Sequence, residues 1–180
     1  DAASGSEELL ALLGLVYGAM ALPDEGNAVS KTLQQLESLI ARQTMADGGY
    51  NSRAPSDLMV ALRYLISLRE ALTDTGRAVP DWLQNKISRM APMLRGLRHG
   101  DGGLALFNGG IEESRDVVDI TLSQARVKGK AVPNAVQSGF QRMAAGSVIL
   151  LADTGAPPAG KWGRYAHAGG TSFELSIGRQ

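Results

Sequence analysis

The sequence predicts an α+β chain in which antiparallel helices come first and antiparallel strands follow. Three observations carry this expectation. Several segments ahead of Gly129 repeat apolar residues at helical spacing. The segment 173–177 alternates apolar and polar at every residue, which is the period of a strand. No long strand separates the first four helical segments, so the chain lacks the βαβ rhythm of a parallel sheet.

Ser4 and Glu7 have the spacing of a capping box, in which each side chain satisfies a backbone donor of the first turn. A helix follows with Leu9, Leu10, Leu13, Val16, Tyr17 and Met20 on one face. Val29, Leu33, Leu36 and Ile40 mark a second, stopped by Asp47-Gly48-Gly49. Ser56 is placed to cap a third, whose stripe of Leu58, Leu62, Leu65 and Leu72 ends at Gly76. Pro80 or Asp81 starts a fourth, with Leu83, Ile87, Met90, Leu94 and Leu97 aligned, and Pro92 inside it removes a hydrogen bond and predicts a kink. Residues 104–107 are too short an apolar run to assign by period. A fifth helix fits 112–126, with Glu112 and Glu113 near its positive end and Arg126 and Lys128 near its negative end.

After Gly129 the pattern becomes that of strands, and the boundary divides the chain into 1–128 and 129–180. Residues 140–144 and 147–153 predict a hairpin around Ala145-Gly146, and 155–160 is a proline-rich loop. In the last strand Phe173, Leu175 and Ile177 are expected to face a core, and Ser172, Glu174 and Ser176 solvent. With no later strand to cover it, the chain reads as a piece of a larger protein.

Composition excludes several classes. The 18 basic and 18 acidic residues cancel, against the basic footprint of a nucleic-acid binder. Without cysteine there is neither a disulfide framework nor a thiolate nucleophile. No uninterrupted apolar run reaches the roughly 18 residues that span a bilayer. Arginine outnumbers lysine 13 to 5, which suits carboxylate or sulfate-like ligands and equally suits surface ion pairs. Ser138-Gly139 lacks the earlier glycine of a nucleophile elbow, and the glycines at 100, 102, 103, 109 and 110 do not form a phosphate-binding fingerprint.

The two histidines, His99 and His167, both lie in glycine-rich turns that let backbone approach a ligand, and imidazole titrates near neutrality. The competing reading of His99 is a loop residue at the C-terminus of the fourth helix, where a cation is favoured. Tyr50, Asn51 and Arg53 sit between two helices, as ligand contacts or as ordinary turn residues. Asn108 lies in the tight glycine path. Trp82 and Trp162 read as sugar platforms or as packing, Tyr17 as core, and Asp116 and Asp119 as solvated charges.

The tail 165–180, together with 47–55, 99–110 and 138–142, resembles the heparinase II/III-like family of polysaccharide lyases. His167 matches the second histidine of a His-x-His-Ala-Asp run, and Ser172, Phe173 and Glu174 match the strand after it. Tyr165 replaces the first histidine and Gly169 the aspartate. Asp57 and Leu58 stand where relatives frequently carry a Tyr-His pair. The resemblance implies the end of an incomplete (α/α) toroid followed by the start of a β-sandwich, with substrate between them.

It also implies β-elimination on an acidic, uronate-containing polysaccharide, in the periplasm or cell envelope. Such a reaction needs a group that neutralises the uronate carboxylate, a base and an acid. The implied catalytic residues are His167, Tyr165 and His99, and the implied substrate contacts are Asn51, Arg53, Tyr50 and Asn108. The loops around Asn51, His99 and His167 are then expected to converge on one groove. No cofactor is required, although the second histidine holds a structural zinc in some relatives. The alternatives are a non-catalytic carbohydrate-binding or scaffold member of the fold, and a helical interaction module.

Overall fold

A computed structural model describes residues 5–22, 27–164, 166–167, 169 and 171–178. Ser4, and with it the capping box, lies outside the described residues, as does Tyr165. The helices are α1 (Gly5–Ala21), α2 (Ala28–Gln43), α3 (Pro55–Asp74), α4 (Asp81–Gly96) and α5 (Arg115–Gln124). The strands β1 (Asn134–Ala135), β2 (Phe140–Ala145), β3 (Val148–Asp153) and β4 (Ser172–Ile177) form one antiparallel sheet in chain order. The chain is therefore α+β.

Helix α3 is the hub, in contact with α1, α4 and α5. Its residues Leu58, Met59, Leu62, Leu65, Leu68 and Leu72 are all fully buried, which is why its apolar stripe is wider than that of a surface helix. Pro55 rather than Ser56 opens it, at a position where a missing N–H costs nothing. Ser56 Oγ instead accepts the backbone N–H of Ile111 at 3.3 Å. At its other end Arg77 N donates to Leu72 O and Gly76 N to Thr73 O, the paired bonds of a Schellman stop. Helix α4 continues through Pro92, and α5 is shorter at both ends than its charge pattern suggests.

The glycines of the α2–α3 loop have a packing reason. Gly48 has φ +93°, and a Cβ there would overlap the carbonyl of Arg89 on α4. Gly48→Ala is expected to destabilise by about 1–3 kcal/mol from backbone strain alone, read as a lower urea midpoint at unchanged slope. Gly14→Ala on α1, where nothing lies within 4 Å, is the matched control and should be neutral or slightly stabilising.

The sheet is where the fold departs from its sequence pattern. The alternation in β4 is real, but its faces are reversed: Phe173, Leu175 and Ile177 are 66%, 54% and 58% exposed, whereas Ser176 is buried. The register carries this across the sheet. Ile177, Leu175 and Phe173 pair with Val148, Leu150 and Ala152, and those with Ala145, Met143 and Gln141. Among the described residues the outward face of β2, β3 and β4 thus carries no charge. The face toward the helices holds Arg142, Asp153 and Glu174 beside Phe140, Ile149 and Leu151. The reversal has a physical cause, since the inward polar groups meet loop donors and acceptors. Among the described residues no buried side-chain nitrogen or oxygen lacks a partner.

Candidate functional site

The seam between helices and sheet is built from the glycine-containing loops and the inward residues of β3 and β4. Asp47 fixes one end. One of its carboxylate oxygens accepts Gln137 N, Ser138 N and Ser138 Oγ at 2.9, 2.7 and 2.9 Å, and the other accepts Gly49 N at 3.0 Å. The α2–α3 loop is thereby joined to the β1–β2 connection.

Arg53 forms the centre. Its backbone is left-handed (φ 56°) and its residue only 5% exposed. The guanidinium donates to Ser138 O at 2.9 Å, to Ala156 O and to Asp153 Oδ1, and lies 5.2 Å from the Phe140 ring centroid. The backbone of Gly155 runs so close that any Cβ there would strike this guanidinium. Asn108 donates to Asp153 Oδ2 at 2.7 Å and to Arg53 O at 3.2 Å. Arg53, Asn108 and Asp153 therefore form one closed interlayer clamp.

His99 lies beside it. Nε2 is 2.7 Å from Glu174 Oε2 and Nδ1 is 3.2 Å from Ser176 Oγ, which also accepts Gly100 N. The other Glu174 oxygen accepts Leu106 N at 2.8 Å. A carboxylate, an imidazole and a hydroxyl in contact suggest an activated nucleophile, but Ser176 is buried, 5% exposed, and its Oγ already accepts Gly100 N.

Two recesses open on this seam. The larger, about 540 Å³, is lined by His99 and by Asp101, Glu112, Glu113, Asp116 and Glu174, with Arg115 as the one guanidinium among the described residues. Arg115 is paired with Asp101 at 2.5 Å. The smaller, about 160 Å³, is lined by Asn108, Asp153, His167, Phe173 and Glu174 among others. Glu174 is common to both.

The structure brings His99, Asn108 and His167 into adjoining recesses. Asn51 lines neither; it donates to Arg42 O at 2.6 Å, at the end of α2. Tyr50 is 2% exposed, donates to Gln43 Oε1 at 2.7 Å and meets Trp162 edge to face at 5.3 Å. Burial pushes the Tyr50 phenol well above its usual range, and Asp57 and Glu8 add to the shift, so it stays protonated and cannot act as a base at neutral pH. Trp162 is thus a packing partner of Tyr50, and Asp119 is solvated, as expected, with its side chain 63% exposed, and also pairs with Arg98 at 2.7 Å. His167 is exposed, Gly169 stands at the aspartate position, and no group of three or more metal-ligating side chains occurs among the described residues. The described residues by themselves thus supply no zinc-ligand set around His167.

Residue inspection alone missed Asp153, Glu174 and Ser176, the partners that organise the seam. The one available signal was that Asp153 closes an otherwise apolar strand, where an ionised side chain needs a buried cation.

Residues 127–180 match the family described as heparinase II/III-like, C-terminal. FtsZ-localized protein C of Caulobacter vibrioides is 30% identical over 148 residues, which is 82% of this chain and 25% of that protein. Among solved structures, heparinase III superposes with a TM-score of 0.78 at 13% identity, over 98% of this chain and 34% of that one. Heparan sulfate lyase HepC from Pedobacter heparinus gives 0.71 at 15% identity, over 99% of this chain and 32% of that one. The chain spans a quarter to a third of the length of these proteins.

Proposed function

We propose that this chain, heparinase II/III-like in fold and over residues 127–180 in sequence, belongs to a protein that uses the lyase fold as a non-catalytic scaffold. One observation carries the reading: Arg53, Asn108 and His99, three of the expected site residues, are bonded to protein carboxylates, and the open cleft beside them is lined by further carboxylates. Arg53, the candidate for neutralising a uronate, already has Asp153 as its buried counterion. Five carboxylates against one paired guanidinium repel an acidic saccharide. Asp57, at the position where relatives carry tyrosine, supplies no phenol.

The name of the curated relative associates that protein with FtsZ, and a part in such an assembly is the reading carried over here. A fluorescent fusion of the full-length protein is expected to co-localise with FtsZ.

A second reading, β-elimination on a uronate polysaccharide with a periplasmic or cell-envelope location, is favoured by one feature. Asn108, His167 and Glu174 share a recess next to His99. In that case His167 or Tyr165 is the acid or base. The two readings separate on turnover. The full-length protein, incubated with a panel of uronate polysaccharides, is expected to yield no ultraviolet absorbance from an unsaturated product. Product that disappears by about 10²–10⁴-fold in His167→Ala would establish the lyase and end the scaffold reading.

A further inference from the structure

We propose that the groove between α3 and α5 is a binding site for a small phosphate monoester, held between Arg63 and Arg126. The groove has a volume of about 750 Å³, within the range of ligand pockets, and it lies on the helical layer away from the seam. Its lining includes two arginines: Arg63 from α3, and Arg126, two residues after α5, whose backbone is left-handed (φ 54°).

Both cations are available. Arg63 makes no ion pair or hydrogen bond among the described residues. Arg126 touches Glu70 at 3.2 Å, but its side chain is 72% exposed, and a pair so placed holds weakly. Glu70 has a nearer partner in Arg69 at 2.8 Å, a buried arginine whose other donors bind Gln124 O and Ala125 O at the end of α5. Glu70, the one carboxylate of the groove among the described residues, is thus already matched, and the two remaining guanidiniums give an excess of positive charge. Lys128 and Lys130, both exposed, follow directly.

Two guanidiniums lining one groove, one from α3 and one from the end of α5, suit a dianion that accepts several hydrogen bonds, which a phosphate monoester does better than a single carboxylate. The rest of the ligand meets Tyr64, whose hydroxyl makes no hydrogen bond among the described residues, and the side chains of Ser123 and Gln124. These groups suit a ring bearing hydroxyls. The contrast with the seam is what decides the placement: an anion offered both recesses is repelled by the carboxylates of one and attracted by the arginines of the other.

The test is an NMR titration of the full chain with inorganic phosphate, AMP and adenosine. Saturable shifts for phosphate and AMP, clustered on residues 60–70 and 123–126 and weakened by added salt, are expected. The double variant Arg63→Ala with Arg126→Ala should weaken AMP about tenfold or more, whereas Arg115→Ala in the seam should leave it unchanged. Both arginines are at the surface, and an unaltered melting temperature verifies that the variant is folded. No saturable shift, shifts that map to His99, equal binding of adenosine and AMP, or undiminished binding by the double variant would each overturn the assignment.

Discussion

Arg53→Ala is expected to lower the unfolding free energy by about 3–5 kcal/mol, the usual cost of removing one member of a buried ion pair. Against a total of about 5–15 kcal/mol for a domain, that is a large part of what holds this fold. The side chains of Arg53 and Asp153 are each 4% exposed, so the carboxylate left behind keeps only Asn108 and Gly155 as donors. Two carbonyls, Ser138 O and Ala156 O, lose their donor at the same time, each at about 1–3 kcal/mol if water does not reach it. For this reason the double change Arg53→Met with Asp153→Leu is not expected to recover wild-type stability, although replacing an isolated buried pair by apolar residues is often neutral. Urea unfolding of the two single variants and the pair measures this directly. A loss below about 1 kcal/mol in Arg53→Ala would mean that the clamp is solvated and energetically idle.

The second large effect concerns association. With Phe173, Leu175 and Ile177 exposed on a face without charge, and β4 at the sheet edge, the chain presents both an apolar patch and unpaired backbone. It is expected to self-associate at high concentration. Changing the three residues to threonine keeps strand propensity and leaves the inward Glu174 and Ser176 in place. Each side chain contributes about 1.5–3 kcal/mol when fully buried, so the triple variant should weaken association by several orders of magnitude. Sedimentation velocity across a concentration series reads this. A wild-type chain that stays monomeric throughout would show that the face needs no cover.

The sequence was most legible where contacts are local. The stripes of α2, α3 and α4 and the hairpin about Gly146 follow from spacing and turn residues, because period alone decides them. The choice of face for β4 could not be read this way. Alternation says that Phe173 and Glu174 point oppositely, but which one is inside depends on His99 and Leu106, some seventy residues earlier, being there to bond Glu174. Arg53 and Asn108 were visible as polar residues in glycine-containing loops, a pattern shared by ligand contacts and structural clamps. Only the position of Asp153 separates these readings for Arg53, and no local pattern carries that position. Tyr50 was ambiguous for the same reason, since burial against Gln43 and Trp162 is a tertiary fact.

The clamp joins residues 100 positions apart, and this sets an order of events in time. Helices α1 to α4 meet through short connections, so their contacts form early in a search limited by loop closure. Arg53 must wait for β3 to be made and delivered. Its bonds should therefore be absent from the folding transition state, and Arg53→Ala should leave the refolding rate nearly unchanged while unfolding accelerates by almost the whole loss in stability. The residue that joins the two layers then acts as a brake on opening and has no part in assembly, so the lifetime of the folded chain is set by a contact its folding nucleus never uses.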